Sequence, residues 1–495
     1  MKRLLRGSVA AAMLLSALTV PTAAATPLIS WKPCADAQLA AAGAECTDLP
    51  VPLDQANPGG PRISLAVSRV KHSVPESAYL GVLLVAPDAF TGGGYLFPLT
   101  AAKLPGAGAA YDWVGFARRG LAPSSPALSC VPDYHDFNRP KYVPASAADE
   151  QVWLDRTRSY AQACASQEAK ALLPHMRAVD VAADMDYVRA ALGRQTVSLF
   201  GQTHGSYQAQ VYATRYPFRL GRMVLDSSTD PRRVWYGANN VDLAQPLQRN
   251  FLTWFDWLAE HDASYHLGRT RDEVKALWDN KIREVSEQPA GGAIGPSELL
   301  DFFLVPAYNQ ASWPVFGQAL ADWVRTADAE PLKALFTQVM HRGNDNVYAA
   351  LLAQICTDAQ LPADFPGWRR DAQALHTVAP DTTWGNVWFN APCLRWPVEA
   401  SAPVHTGGQT RALLLAETLD AESPFTGSLE TRSRWPNSAL LAQPGGTSNG
   451  VTPNGNACVN AALNAFLLRG ELPARQPGVR ADAECAPNPR PVPFS

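Results

Sequence analysis

The segment Thr196–Phe200 (TVSLF) runs straight into Gly201-Gln202-Thr203-His204-Gly205, and the residues from Gly205 to Tyr216 then read as a helix stopped by Pro217. A G-x-T-x-G placed between a strand and a helix describes a sharp turn. Its flanking glycines let the chain close, and the hydroxyl-bearing residue at its apex stands clear at the top of a sheet. Apolar runs recur on either side of it. Leu80–Ala86 (LGVLLVA), Asp112–Phe116 (DWVGF), Met223–Leu225, Ala412–Ala416 (ALLLA) and Ser438–Ala442 read as strands, and Val179–Leu192 reads as a helix ending before Gly193. Strands alternating with helices predict an α/β architecture with a mostly parallel central sheet covered on both faces.

Between about Pro231 and Asn390 the strand pattern thins out and amphipathic helical stretches take over, with tryptophans concentrated there (Trp254, Trp257, Trp313 and Trp388 among them). They read either as helix packing or as an aromatic-lined lid over a pocket. No repeat or linker separates this stretch, so it is expected to be a helical cap (232–390) inserted in a core formed by 26–231 and 391–495. The N-terminus, with Lys2, Arg3 and Arg6, an apolar run from Ser8 to Val20, and Ala23-Ala24-Ala25, reads as an export signal over 1–25. The run is short of the roughly 20 residues a membrane span needs. No later stretch looks transmembrane, so a soluble product outside the cytoplasm is expected. Charged residues are only 18% and the net charge is −3, with no basic face to suggest nucleic acid. Eight cysteines, an even number, in an exported chain predict disulfides, and no C-x-x-C pair points to a metal or redox centre. Spacing alone leaves the pairing open.

Several blocks together resemble a known family. Asp180-Val181-Ala182-Ala183-Asp184-Met185-Asp186 followed by the Thr203 turn is one. Arg222-Met223-Val224-Leu225-Asp226 running to Asp230-Pro231 is a second. Cys356-Thr357-Asp358, Cys393-Leu394-Arg395-Trp396-Pro397, Thr418-Leu419-Asp420 with Pro424, and Asn456-Ala457-Cys458 complete the set. Over nearly all of the chain after residue 25, the sequence resembles the secreted tripeptidyl aminopeptidase-like α/β-hydrolases related to proline iminopeptidases. The resemblance implies an α/β-hydrolase fold with an inserted cap and the disulfides Cys34–Cys46, Cys130–Cys164, Cys356–Cys393 and Cys458–Cys485. It also implies a serine, an aspartate and a histidine in that chain order.

The chemistry departs from that pattern. Thr203 stands where the nucleophilic serine belongs, Asp420 matches the acid, and none of the nine histidines lies after it. The loop Pro444-Gly445-Gly446-Thr447-Ser448 matches the histidine-bearing loop, with Gly446 at the histidine position. The family's glycine-rich oxyanion stretch corresponds to Ala86-Pro87-Asp88-Ala89-Phe90-Thr91-Gly92-Gly93, where Asp88 and Ala89 replace glycines. Asp88 reads equally as facing a developing oxyanion or as facing solvent. Ala117 replaces an aspartate, and Glu417 replaces the glycine before Thr418. His204, next to the apex, reads either as packed on the pocket wall or as a proton donor or acceptor.

These losses fall on chemistry and spare the scaffold. The expectation is a pocket repurposed to bind, or to transform without hydrolysis, a small organic or peptide-like molecule. Thr203, His204 and Asp420 would form its floor, Gln202, Asp88 and Glu417 its further polar lining, and the tryptophan-rich cap its roof. No cofactor or metal is expected. Two other readings stand beside it: a binding protein with no turnover, and a weak peptidase or esterase working through Thr203.

Overall fold

In the computed structural model, residues 29–88, 94–452 and 455–494 are described. Residues 1–25, expected from the sequence to be an export signal, and the Ala89–Gly93 part of the stretch matched to the oxyanion loop lie outside them. The backbone builds one ten-stranded sheet from β1 (Lys32–Pro33), β2 (Glu45–Pro52), β3 (Arg62–Val70), β4 (Val82–Ala86), β5 (Asp112–Phe116), β6 (Val197–Gln202), β7 (Leu220–Asp226), β8 (Ala412–Glu417), β9 (Ser438–Gln443) and β10 (Ala483–Glu484). The spatial order is β1-β2-β3-β5-β4-β6-β7-β8-β9-β10. The first three strands and the β3–β5 pair are antiparallel, and every pair from β5 to β10 is parallel.

The parallel strands are apolar along their length because both faces are covered. Alternate residues feed two different cores. Leu84, Ala86, Leu199, Leu225 and Leu414 pack with the helices Ala178–Ala191 and His204–Arg215 on one face. Leu83, Val85, Phe200, Val224, Leu413 and Leu415 pack with Val459, Leu463, Phe466 and Leu467 on the other. The chain runs outward from β4 to β5, then returns to place β6 on the opposite side of β4. Where the order reverses, the loops leaving the carboxyl ends of β4 and β6 diverge and open a crevice, the usual ligand position in such sheets. Asp88 follows β4 and Thr203 follows β6, so the topology itself brings them together.

Between β7 and β8 all regular elements are helical. They do not pack as one body. Helices from Ala244–Glu260 to Glu330–Val339 share an aromatic core of their own, in which Trp254, Trp257, Trp278 and Trp313 are fully buried. Trp368, Trp384 and Trp388 join Trp153 in a second cluster. Helix Asn346–Asp358 instead packs into the core beside the sheet. Most tryptophans here are therefore structural. Among the described residues no helix is long and apolar enough to cross a membrane.

The four disulfides are Cys34–Cys46, Cys130–Cys164, Cys356–Cys393 and Cys458–Cys485, the pairs that the resemblance implied. Cys356–Cys393 closes a separation of 37 residues and joins the sheet-packed helix to the segment leading into β8. Replacing both of its cysteines by serine is expected to cost about 2–5 kcal/mol, read as a lower Tm in calorimetry. An unchanged Tm would show that this bridge does not restrain the unfolded chain.

Candidate functional site

Thr203 sits at φ 51°, ψ −120°, a left-handed backbone unusual for a β-branched residue and costing about 1–3 kcal/mol where it occurs. The flanking glycines make the turn possible. A Cβ on Gly201 would lie 2.5 Å from the Gly205 carbonyl oxygen, and one on Gly205 would lie 2.7 Å from that of Ala86. Hydrogen bonds hold the conformation. The Thr203 N–H donates to the Asp226 carbonyl at 3.0 Å. Its own carbonyl accepts from the Ser206 N–H at 2.9 Å, from Ser206 Oγ at 2.5 Å and from Thr229 Oγ1 at 3.0 Å.

The side chain of Thr203 does not meet Gly446. Its Oγ1 donates to Asn449 Oδ1 at 2.6 Å, and Asn449 Nδ2 donates to Asp420 Oδ2 at 3.1 Å and Oδ1 at 3.3 Å. A hydroxyl can donate or accept and an ionised carboxyl only accepts, so an amide with Oδ1 toward Thr203 and Nδ2 toward Asp420 satisfies both ends. Asn449, three residues beyond the expected position, is thus the group between nucleophile position and acid. Gly446 is corrected for a steric reason: a Cβ there would lie 2.5 Å from the Glu417 carboxyl. Glu417 does not line a pocket either. It is buried beneath the loop, and its Oε2 accepts the Ser448 N–H at 2.5 Å. Gln202 likewise turns away, donating from Nε2 to Asp226 Oδ2 at 3.2 Å.

Asn449 is held from several sides. Its N–H donates to the Tyr308 carbonyl at 2.9 Å. The next residues are clasped by the end of β7: Gly450 N donates to Ser227 Oγ at 2.9 Å, while Val451 N and Thr452 N donate to the Asp226 carboxyl at 2.9 and 2.8 Å. Asn250, on helix Ala244–Glu260, donates from Nδ2 to the carbonyls of Ala307, Leu419 and Thr447. One side chain therefore joins the insert to both the Asp420 and the Asn449 loops.

Asp420 is 1% exposed and accepts the Glu422 and Ser423 N–H groups at 2.9 and 3.0 Å. Burial pushes its carboxyl up to about 7 against those hydrogen bonds. Burial pushes Glu417 up to about 7 as well, with Asp420 and Asp226 adding repulsion.

On the other side of the turn, His204 Nδ1 lies 3.9 Å from Glu422 Oε1 and 4.0 Å from Asp88 Oδ1, and its ring stacks on Trp235 with centroids 5.0 Å apart. Asp88 therefore faces inward. Burial, then the Arg118 guanidinium, pushes His204 down to about 3, which leaves the imidazole neutral. Behind it runs a buried polar chain. Trp235 Nε1 donates to Asp358 Oδ2 at 3.3 Å, Gln354 Nε2 donates to the same oxygen at 3.1 Å, and Arg118 Nη1 donates to Gln354 Oε1. Burial raises Asp358 to about 6.

Thr203 itself is only 3% exposed. The cleft of about 690 Å³ bounded by Arg232, Tyr236, Gln360 and Asp371 does not include Thr203, His204 or Asp420 in its lining. Its wall residue Val234 precedes the Trp235 that stacks on His204. Among the described residues, no group of three or more His, Cys, Asp or Glu side chains is arranged to hold a metal ion.

Sequence reasoning missed Asn449, Glu422, Trp235 and Asn250. The Asn449-Gly450 pair carried a turn signal, and Glu422 lies two residues from the acid; neither showed that the side chain points inward.

Residues 83–373 match the family described as alpha/beta hydrolase fold, and residues 379–485 match that described as TAP-like protein. The chain is 35% identical over 481 residues to a tripeptidyl aminopeptidase of Streptomyces lividans, covering 94% of this chain and 88% of that protein. A Streptomyces coelicolor tripeptidyl aminopeptidase is also 35% identical over the same length, covering 94% of this chain and 87% of that protein. A Mycobacterium tuberculosis carboxylesterase B is 27% identical over 87% of this chain and 85% of its own. With the sheet order, the strained turn at Thr203 and the acid at Asp420 in place, the chain belongs to the tripeptidyl aminopeptidase-like family of α/β-hydrolases.

Proposed function

We propose that this chain is exported and uses the hydrolase scaffold as a pocket that binds, or transforms without hydrolysis, a small organic or peptide-like molecule. One observation carries the reading: a carboxamide, Asn449, sits between the Thr203 hydroxyl and Asp420. A general base must take the nucleophile's proton at working pH, and a carboxamide has no such protonation state. The hydroxyl stays protonated and spends its hydrogen on Asn449. Threonine nucleophiles elsewhere rely on a nearby amine, and Thr203 contacts a carboxamide instead. Four disulfides support export. The low exposure of Thr203 favours the second reading, binding without turnover.

Two outcomes follow. On tripeptide p-nitroanilides and p-nitrophenyl esters the protein is expected to show no enzymatic turnover, because loss of a triad member costs on the order of 10⁶ in kcat. Thr203→Ser alone and Asn449→His alone should do little, since triad members act as a unit, while the double change should regain measurable hydrolysis. Gly446→His should lower the Tm without activity, because its side chain would meet Glu417. Turnover by the unaltered protein within roughly a few hundred-fold of an ordinary hydrolase, abolished by Thr203→Ala, would contradict the reading.

The second outcome concerns pH. Asp420 and Glu417 are each raised to about 7, well above the ordinary carboxyl range. The folded state holds these protons more tightly than the unfolded state does. The stability they confer is complete below the unfolded values and is lost as pH rises through about 7. Tm should therefore fall between about pH 5 and about pH 8, and Glu417→Gln should flatten the slope. A Tm that rises over that window would show both carboxyls to be ionised and compensated.

A further inference from the structure

We propose that residues 486–494 form a strap that holds the helical insert down on the Thr203–Asn449–Asp420 site and so controls whether a molecule reaches it. The inference goes beyond the function proposed above, because it concerns access and holds whether the site binds or converts what enters. Thr203 is 3% exposed, and the cleft of about 690 Å³ does not reach it. A ligand therefore meets the Thr203 hydroxyl only when something covering it moves.

Every second residue of this segment is a proline: Pro487, Pro489, Pro491 and Pro493. Each fixes its own φ, lacks an N–H and keeps the residue before it extended. Such a chain is a poor strand, is stiff before it docks and offers mostly carbonyl oxygens. One end is fixed to the core. Cys485, just before it, is bonded to Cys458 and donates its N–H to the Ala442 carbonyl at 2.9 Å. The Ala486 carbonyl accepts Asn456 Nδ2 at 2.9 Å and Gln443 Nε2 at 3.1 Å. Five residues on, a span of about 15 Å for an extended proline-rich chain, the segment reaches the insert. There the Pro491 carbonyl accepts Trp257 Nε1 at 2.8 Å, and Arg490 Nη1 pairs with Glu260 Oε1 at 3.0 Å. Trp257 is fully buried in the insert's aromatic core, and among the described residues Pro491 is the partner of its indole N–H. The Arg490–Glu260 pair is half exposed and contributes less.

Trp257 and Glu260 lie on the helix Ala244–Glu260, and Asn250 lies about two turns earlier on the same face as Trp257. Asn250 Nδ2 donates to the Leu419 and Thr447 carbonyls, and Arg249 Nη2 donates to Leu419 as well. Ala421, next to Asp420, packs into the insert's aromatic core. One helix thus carries the strap's grip near one end and the hold on both site loops nearer the other. Releasing Trp257 leaves that helix free to tilt away from the Asp420 and Asn449 loops.

Thiol labelling of the intact chain tests this. Thr203→Cys places one thiol at the site, and mass spectrometry follows its alkylation by iodoacetamide while the native cysteines stay in their four disulfides. Labelling should be slow. Adding Trp257→Phe with Arg490→Ala should speed it about tenfold, the effect of losing one hydrogen bond of a buried donor. A chain ending at Ala486 should be labelled faster still, and the substituted full chain decides the matter if the shortened one fails to fold. Hydrogen exchange of the same substituted chain should accelerate over 244–260 and 419–423 while β4 to β9 keep their protection. Equal labelling with and without the strap contacts overturns the proposal and leaves the non-hydrolytic reading as it stands. Exchange accelerated evenly across the sheet also overturns it, because that is general loss of stability and not release of the insert.

Discussion

The hydrogen-bonded chain from the Thr203 hydroxyl through the Asn449 carboxamide to Asp420 governs the rest of the site. It reproduces the connectivity of a hydrolytic triad, and the strained backbone at Thr203 is retained with it. What it lacks is a titratable group in contact with the hydroxyl, since Thr203 meets a carboxamide. Because the amide satisfies both neighbours, neither the hydroxyl nor the carboxylate is left as an unpaired buried polar group, which would cost about 1–3 kcal/mol. The Asn449 loop is fastened by the Asp226 carboxyl, the Ser227 hydroxyl, the Tyr308 carbonyl and the Asn250 side chain.

Electrostatics follow from the same substitution. An imidazole at Asn449 would supply a compensating positive charge whenever Asp420 is ionised; a carboxamide supplies none. Asp420, Glu417, Asp226 and Glu422 are all raised, in each case chiefly by burial. Of the two buried arginines nearby, Arg119 pairs with Asp184 at 2.7 Å, while Arg118 donates to Gln354 and its charge acts on His204 and Asp88. Around the switch between β4 and β6 the buried carboxyls are raised and His204 is a neutral imidazole.

The fold was largely legible in the sequence because its central strands are buried on both faces and so are continuous apolar runs. DWVGF was placed at its observed limits, and β4, β6, β8 and β9 to within one or two residues. The antiparallel β2 and β3 at the sheet's edge were missed. β2 carries Pro50 and Pro52, which demote a strand pattern although an edge tolerates them. Of the residues the sequence singled out, the structure links Thr203 to Asp420 through Asn449 and places His204 near Asp88. Motif order placed the third group at Gly446, but the glycine answers to the volume of Glu417 and not to the nucleophile. Residues whose role depends on a loop folding back, such as Asn449 and Glu422, carry no periodic or motif signature. The tryptophan concentration was real, and the helical insert uses most of it to hold itself together, leaving Trp235 as the one stacked on His204.

The central claim is that Thr203 has no base, and its reactivity toward an electrophile tests that most directly. A fluorophosphonate traps an activated hydroxyl covalently, with fluoride leaving as the oxygen–phosphorus bond forms and the base taking the proton. Intact-protein mass spectrometry after prolonged incubation near pH 7 is predicted to show the unmodified chain, with a disulfide-bonded serine hydrolase in the same tube fully labelled. A stoichiometric adduct mapped to Thr203 would contradict the account, because it would require a base that the Asn449 carboxamide does not provide.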